Sequence, residues 1–286
     1  MTVEMKVAAK ETRNATAPAT VDFDAIKRRQ QITWTSGDYS NIGVRLQVVG
    51  ELLAETVDVR AGERVLDVAA GNGNATLAAA RRFANVTSTD YVPELLEKGA
   101  RRALADGLPV ELRVADAESL PFDDGSFDVA LSSFGVMFAP NQARAASELQ
   151  RVVRSGGRIG MANWTPEGFI GELFRAMAGH VPPPAGIQSP TLWGSEPRIV
   201  ELFGPQAADI RCNRTYYNFR FRSAAHWIEV FRACYGPMHK AYESLDAEHQ
   251  EFLTCALTEL LERRNVGGPD SLIIPSEYLE VVVIKK

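Results

Sequence analysis

One segment near residue 65 constrains the fold of this chain more than any other. A short, almost wholly apolar run over 64–68 leads into a glycine-rich turn over 71–73, and a helical pattern follows over about 75–84. Glycines at such a turn let the backbone adopt positive φ and approach a ligand closely. The helix that begins there offers free N–H groups and partial positive charge to an anionic group. The segment therefore predicts a buried strand, a ligand-binding turn and a helix in succession.

The same alternation of short apolar strands and helical stretches continues through the middle of the chain. Further strands are predicted over 86–89, 110–114, 127–132 and 158–164, and helices over 44–57, 93–104 and 141–153. Short apolar strands separated by helices are typical of a parallel sheet that is covered on both faces. We therefore expect an α/β fold with a doubly wound, mostly parallel sheet.

The pattern changes after Trp164. A helix over about 168–179, a proline-rich loop, a strand over 215–221 and a helical block over about 223–265 precede a final strand over 278–284. This order predicts a helical insertion before the last strand. The expected division is a disordered or lid-like segment over 1–25, a cofactor-binding α/β core over 26–165, and a substrate-binding helical insertion with the last two strands of the same sheet over 166–286.

Composition argues against several classes of partner. The 31 Lys and Arg residues are outnumbered by 36 Asp and Glu residues, and no stretch forms a broad basic surface, which disfavours nucleic-acid binding. No run reaches the roughly 18 apolar residues of a membrane helix, so we expect no membrane insertion. Cys212, Cys234 and Cys255 are widely spaced and form no metal-binding pattern. We expect free thiols, no metal and a cytoplasmic protein, and the sequence makes no prediction of an oligomer.

A carboxylate at the end of the second strand adds to the signal of the glycine turn. Asp90 is placed where an acid can accept hydrogen bonds from two adjacent ribose hydroxyls. A purely structural turn is the alternative, because glycine motifs need context. A dinucleotide fingerprint also requires a glycine or alanine three residues after Gly73, where this chain has Thr76. The turn therefore disfavours a nicotinamide-dependent oxidoreductase.

The pattern Asp67-x-Ala69-x-Gly71-x-Gly73 resembles motif I of the class I S-adenosylmethionine-dependent methyltransferases, with Ala69 where the family usually has its first glycine. Asp90 and the segments 114–122, 126–132 and 148–158 resemble later family motifs in the same order. The set is typical of the branch related to ubiquinone and menaquinone C-methyltransferases (methyltransferase type 11), and it covers about residues 30–165. The resemblance implies a seven-stranded Rossmann-like sheet, S-adenosyl-L-methionine as cofactor and methyltransferase activity.

The resemblance also implies a role for each matching residue in binding the cofactor. The turn around Asp67, Ala69, Gly71 and Gly73 would hold the amino-acid part, and Asp90 would hold the ribose diol. The remaining implied contacts are Tyr91 on one adenine face, Asp116 and the Ala117 N–H at the adenine edge, Ser133 and Phe134 near the reactive methyl group, and Trp34 and Tyr39 in a lid. Simple packing is the alternative for Trp34, Tyr39, Tyr91 and Phe134, and a solvated loop acid is the alternative for Asp116.

Methyl transfer from a sulfonium is an in-line displacement with a neutral leaving group, so alignment and exclusion of water are the main tasks of such an enzyme. A general base is needed only for an acceptor with a proton of high pKa, and His239 is the candidate, with a structural role as the alternative. We expect the aromatic-rich region 166–275 to bind a small-molecule acceptor, such as a quinol or phenol. The alternatives are a non-catalytic S-adenosylmethionine-binding module and a nicotinamide-dependent oxidoreductase.

Overall fold

The computed structural model describes residues 21–286, which form one seven-stranded sheet and the helices packed around it. The strands are β1 (Arg64–Val68), β2 (Asn85–Asp90), β3 (Glu111–Val114), β4 (Phe127–Ser133), β5 (Val153–Trp164), β6 (Ala207–Phe221) and β7 (Leu272–Lys285). The helices are α1 (Phe23–Thr35), α2 (Ser40–Gly43), α3 (Gln47–Thr56), α4 (Asn74–Arg81), α5 (Pro93–Ala105), α6 (Gln142–Val152), α7 (Phe169–His180), α8 (Glu196–Phe203), α9 (Ala224–Cys234), α10 (Gly236–Glu243) and α11 (Ala247–Arg264).

The strand order β3-β2-β1-β4-β5-β7-β6 confirms a doubly wound, mostly parallel sheet. Strands β1 to β5 pair in parallel, whereas β7 is antiparallel to both β5 and β6. The chain order reverses between β1 and β4, and open α/β sheets bind ligands at the carboxyl ends of the strands beside such a reversal. Helices α9 to α11 lie between β6 and β7, which confirms the helical insertion before the last strand.

Several element bounds differ from the sequence-based expectation, including those of β5 and β7, which begin at Val153 and Leu272. Three further differences have a clear physical reason. Strands β3 and β4 are joined by a loop over 115–126 with no helix, because Pro121 and the Asp-Asp-Gly turn that follows it interrupt helical structure. Strand β6 begins at Ala207, well before residue 215, since its first half lies at the sheet edge and carries polar side chains that hide the pattern. Helix α1 begins at Phe23, inside the segment 1–25, of which residues 1–20 lie outside the described part of the chain.

Helix α4 fixes the position of the glycine turn. Its alanine side chains are buried, and they are small enough for α3 to approach closely. A Cβ atom on Gly50 of α3 would lie 2.7 Å from the backbone of Asn74, the first residue of α4. The turn between β1 and α4 is therefore held on one side by the sheet and on the other by α3.

The loops that follow β1 and β4 touch each other backbone to backbone. A Cβ atom on Gly135, just after β4, would lie 2.0 Å from the carbonyl oxygen of Ala69, just after β1. Real Cβ atoms essentially never come this close to another heavy atom. Only glycine fits at this point of the strand-order reversal.

We expect Gly135→Ala to lower the free energy of unfolding by about 1–3 kcal/mol, because the added methyl group overpacks a backbone contact. Gly179→Ala is the matched control, since a Cβ atom on Gly179 of α7 meets nothing within 4 Å. That control should keep or raise stability, as alanine favours a helix more than glycine does. Urea titration of both variants measures the difference, and a Gly135→Ala protein as stable as wild type would contradict the close contact.

Candidate active site

A cavity of about 900 Å³, called here the larger cavity, lies at the carboxyl ends of β1, β2 and β4. It brings together most of the residues that the sequence resemblance assigned to cofactor binding. Those that line it are Trp34, Tyr39, Asp67, Ala69, Gly71, Asp90, Tyr91, Asp116, Ala117, Ser133 and Phe134.

Gly73 and His239 do not line this cavity. Gly73 adopts φ +84° and directly precedes α4, and its N–H donates to the Ala70 carbonyl at 2.9 Å. It therefore sets the backbone conformation of the turn without lining the cavity. His239 lies on α10 with Nδ1 3.1 Å from the Arg232 carbonyl oxygen and Nε2 3.0 Å from a Glu243 carboxylate oxygen. The opposite face of α10 is the one that packs into the core. The structure therefore places His239 away from both cavities, and a role for it as a base stays a prediction.

Asp67, at the end of β1, has one engaged and one unpartnered carboxylate oxygen. Its Oδ2 accepts from the Thr76 N–H at 2.7 Å and from the Thr76 hydroxyl at 2.6 Å. Its Oδ1 is buried and has no hydrogen-bond partner among the described residues. Burial raises the pKa of Asp67 to about 7, against the lowering effect of the two Thr76 bonds. The free oxygen suits a donor or a cation supplied by a ligand.

Asp90, at the end of β2, is held by two backbone groups. Its Oδ2 accepts from the Gly71 N–H and its Oδ1 from the Val92 N–H, each at 2.9 Å. Burial raises the pKa of Asp90 to about 6, while these N–H groups oppose the rise. Each carboxylate oxygen keeps a lone pair for a further donor, so the site can accept a pair of ligand hydroxyls.

Two residues with side chains adopt left-handed backbone conformations at the strand-order reversal. Ala69 has φ +53° and Phe134 has φ +58°. Such conformations cost energy for a residue other than glycine and cluster at functional sites. The value at Ala69 accounts for the glycine that the methyltransferase motif usually has there. Phe134 is kept in place by stacking on Trp164, with ring centroids 3.8 Å apart.

Helix α1 covers the larger cavity with polar side chains that sequence reasoning missed. Lys27 Nζ lies 2.8 Å from Asp116 Oδ2 and 3.2 Å from Glu118 Oε2. Although burial lowers the pKa of Lys27, its pairing with these two acids raises it overall. Gln30 and Gln31 donate to the carbonyl groups of Phe138 and Tyr91, each at 3.1 Å. These bonds fasten α1 to the loops after β2, β3 and β4.

The missed residues share a pattern that is visible in the sequence. Lys27 and Gln30 are spaced with the predicted Trp34 as one face of a helix, and all three line the larger cavity. Asn72 of the glycine turn is a further missed residue, and its buried Nδ2 has no partner among the described residues. The same holds for Gln30 Oε1. Together with Asp67 Oδ1, these atoms leave donor and acceptor positions open to a ligand.

A second cavity of about 370 Å³, called here the smaller cavity, adjoins the first. Both cavities are lined by Trp34, Tyr39, Leu46, Phe134 and Phe138. The other residues that line the smaller cavity are Ile42, Trp164, Ile170, Leu173, Phe219, Phe231 and Tyr235. No charged side chain of the described residues lines it. Its walls are therefore almost entirely apolar and mostly aromatic.

Residues 21–286 contain neither a metal-binding group of side chains nor a helix that could span a membrane. No three His, Cys, Asp or Glu side chains are grouped there so that they could hold a metal ion. None of the helices in this range has the length and apolarity that crossing a bilayer requires.

Asp67 should make stability depend on pH near neutrality. Its pKa is about 7 in the folded state, whereas an aspartate in an unfolded chain titrates near a pH of about 4. The folded state binds the proton more tightly, so the free energy of unfolding falls as the pH rises from about 4 to about 7. We expect Asp67→Asn to flatten this fall in urea titrations at several pH values.

Asp128→Asn serves as the control for this measurement. The hydrogen bond from Arg154 lowers the pKa of Asp128, so that carboxyl titrates below the range of interest. For Asp128→Asn, the curve of the free energy of unfolding against pH should run parallel to that of wild type between about pH 5 and about pH 8. A parallel curve for Asp67→Asn would show that Asp67 does not titrate in this range.

Comparison with known proteins relates this site to a family. A methyltransferase-domain family matches residues 66–161. An uncharacterized protein of Mycobacterium tuberculosis is 42% identical over 251 residues, which cover 86% of this chain and 90% of that protein. The demethylmenaquinone methyltransferase of Thermus thermophilus is 33% identical over 161 residues, or 51% of this chain and 73% of that enzyme. The solved YcgJ protein from Bacillus subtilis has a TM-score of 0.57 at 20% identity, covering 82% of this chain and 97% of its own, and supports the fold alone.

The matched family, the Thermus thermophilus relative and the strand order agree with the motif at the end of β1. The chain belongs to the class I S-adenosylmethionine-dependent methyltransferases, in the branch that includes the demethylmenaquinone methyltransferases, and its cofactor is S-adenosylmethionine.

Proposed function

We propose that the larger cavity binds S-adenosylmethionine through the residues that the resemblance assigned to it. The unpartnered polar atoms fit the amino-acid part of the cofactor, because Asp67 Oδ1 can accept from its ammonium group and Asn72 Nδ2 can donate to its carboxylate. Ala69, Gly71 and Gly73 shape the turn that lies against this part. Asp90 accepts the two ribose hydroxyls.

We assign the adenine end of the cofactor to the loop after β3. Asp116 Oδ1 accepts from the Glu118 N–H at 2.9 Å and its Oδ2 from Lys27, which orients the carboxylate and leaves lone pairs for the adenine amino group. The Ala117 N–H donates to the ring, and Tyr91 covers one face. At the other end, Ser133, Phe134, Trp34 and Tyr39 surround the reactive group, where the two cavities meet.

The chain contributes to methyl transfer mainly by alignment and by keeping water out. When bound, S-adenosylmethionine supplies a methyl group on a positively charged sulfur. The rings of Trp34, Phe134 and Phe138 enclose the junction of the cavities and hold the acceptor in line with that group. Such positioning lowers the barrier by several kcal/mol without any general base.

We propose that the acceptor is a small, largely apolar molecule with a hydroxylated ring, such as a phenol or quinol. The observation that carries this proposal is the smaller cavity, whose mostly aromatic walls suit a planar ring. Residues 166–286 supply five of its lining residues, which supports a substrate-binding role for this part of the chain. The Thermus thermophilus relative, named for demethylmenaquinone, supports the same class.

An assay that measures release of S-adenosylhomocysteine by the enzyme, with each acceptor of a panel in turn, tests this proposal. The panel contains phenols and naphthoquinols, matched with aliphatic amines and carboxylic acids of similar size. We expect turnover with hydroxylated rings, and turnover confined to amines or acids would contradict it. A purely cofactor-binding module would release no product with any acceptor. Membership of the methyltransferase family replaces the alternative of a nicotinamide-dependent oxidoreductase.

We also propose that the protein acts in the cytoplasm. The structure leaves Cys212, Cys234 and Cys255 unpaired, and free thiols persist in reducing compartments. Measuring the compartment of a tagged full chain by cell fractionation would test this.

Asp90→Ala should weaken S-adenosylmethionine binding by roughly 1.5–3 kcal/mol, the range for hydrogen bonds to a charged group. Asp106→Ala is the control, because Asp106 is an exposed acid that pairs with Arg81 away from both cavities. Calorimetry of both variants measures the change. Equal affinities for Asp90→Ala and wild type would remove Asp90 from the cofactor site.

Ile170→Phe should reduce use of the acceptor and leave the cofactor in place. Ile170 of α7 lines the smaller cavity but not the larger one, so a bulkier ring fills acceptor space alone. We expect kcat/KM for the best phenol to fall at least about tenfold, with an unchanged Kd for S-adenosylmethionine. If both constants move together, the two cavities do not have separate roles.

A further inference from the structure

Two tyrosines that line the cavities have hydroxyls without a hydrogen-bond partner among the described residues. Tyr39 lines both cavities, and Tyr235, between α9 and α10, lines the smaller one. Neither hydroxyl makes a hydrogen bond within the described residues. Buried Tyr hydroxyls usually find a partner, so these two are available to bound molecules.

Tyr39 lies beside the proposed cofactor position, and Tyr235 lies beside the proposed acceptor position. The Tyr39 ring lies over the glycine turn, 3.6 Å from the position of a Cβ atom on Gly71, which places it with the cofactor. The Tyr235 ring comes from the insertion, and its centroid is 5.7 Å from that of Trp34 and 6.5 Å from that of Tyr39. Tyr235 therefore faces the space left for the acceptor.

The backbone at Tyr235 is held rigidly. A Cβ atom on the following residue, Gly236, would lie 2.0 Å from the Thr33 carbonyl oxygen, so α10 begins in direct contact with α1. The Tyr235 ring also packs against Phe231, with centroids 5.7 Å apart. The Tyr235 ring is thus held in place before an acceptor binds, which lowers the entropy cost of binding.

Both hydroxyls are donors at neutral pH. Burial and the nearby Asp90 raise the pKa of Tyr39 to about 12, and burial and the nearby Tyr39 raise the pKa of Tyr235 above its ordinary value. A phenol that stays protonated offers an O–H donor and cannot act as a base. A negatively charged oxygen on the acceptor gains most from such a donor in an apolar cavity.

We propose that Tyr235 binds the acceptor directly, by donating a hydrogen bond to its ring oxygen, and that the enzyme therefore selects acceptors that react as phenolates or enolates. This inference rests on the proposed function and names the residue and the ionic form that it uses. The attraction between the oxyanion and the positively charged sulfur favours the ionised acceptor in this low-dielectric space.

The transfer balances without an oxidant or a base from the chain. The acceptor loses its hydroxyl proton to solvent before the reaction. A bond then forms from the acceptor oxygen or ring carbon to the methyl carbon as the bond from that carbon to sulfur breaks, and sulfur keeps the electron pair and becomes neutral. In transfer to carbon, the first product is a neutral ketone form of the ring. The proton on the methylated ring carbon then passes to solvent and the ring oxygen takes up a proton, which restores the aromatic phenol.

Binding of 4-nitrophenol to the complex with S-adenosylhomocysteine tests the inference without relying on turnover. The phenolate absorbs visible light, so one titration gives both its Kd and the apparent pKa of the bound probe. We expect Tyr235→Phe to weaken phenolate binding about tenfold or more and to raise the apparent pKa of the probe by about one unit. The affinity for 4-nitrotoluene, which lacks the hydroxyl, should stay within about twofold.

Tyr216→Phe is the matched control. The Tyr216 hydroxyl donates to Glu277 at 2.8 Å outside both cavities, and its loss should change neither probe. Tyr235→Phe keeps the ring, and an unchanged unfolding transition checks that its packing is kept. Equal losses for both probes, an unchanged pKa of 4-nitrophenol, or no binding of 4-nitrophenol to wild type would each overturn the inference. If wild type turns over phenols and Tyr235→Phe turns them over equally well, the inference is overturned. The proposed function would still stand in that case.

Discussion

The site depends on the hydrogen bond from the Gly71 N–H to the buried carboxylate of Asp90. This bond joins the turn after β1 to the end of β2, so the two parts of the larger cavity that we propose bind the amino-acid part and the ribose of the cofactor have a fixed separation. The bond requires the Asp90 carboxylate to be buried, which disfavours its charged form. Burial raises the pKa of Asp90 to about 6. A ligand that brings further donors lowers this cost, which links occupation of the cavity to stability.

Polar and apolar lining residues are divided between the two adjoining cavities. The larger cavity is lined by acids and by unpartnered polar atoms, whereas the smaller one is lined almost wholly by rings and aliphatic groups. Trp34 stands at the boundary, with its ring edge-on to Tyr39 and Phe138 at centroid distances of 5.5 and 5.0 Å. This arrangement would keep water from the reacting atoms while a polar cofactor and an apolar acceptor bind side by side.

The sequence predicts the core of the fold because buried parallel strands and their helices carry strong local patterns. It predicts Asp90 because this acid ends a strand at the ligand-binding edge of the sheet, whereas Asp67 and Asp116 are predicted from the resemblance to the methyltransferase motifs. It does not predict the contact of Lys27 with Asp116, since this contact depends on where α1 docks. The position of His239 outside both cavities could not be predicted for the same reason, because it is the tertiary packing of α10 that turns Met238 inward. The first half of β6 was missed because an edge strand needs no apolar pattern.

Amide hydrogen exchange in the presence of S-adenosylhomocysteine tests most directly whether the larger cavity is the cofactor site. The account predicts slower exchange in α1 and in the loops that follow β1, β2 and β3, with α11 and the exposed half of β6 unchanged. Binding with protection confined to other parts of the chain, or with none in these loops, would contradict it.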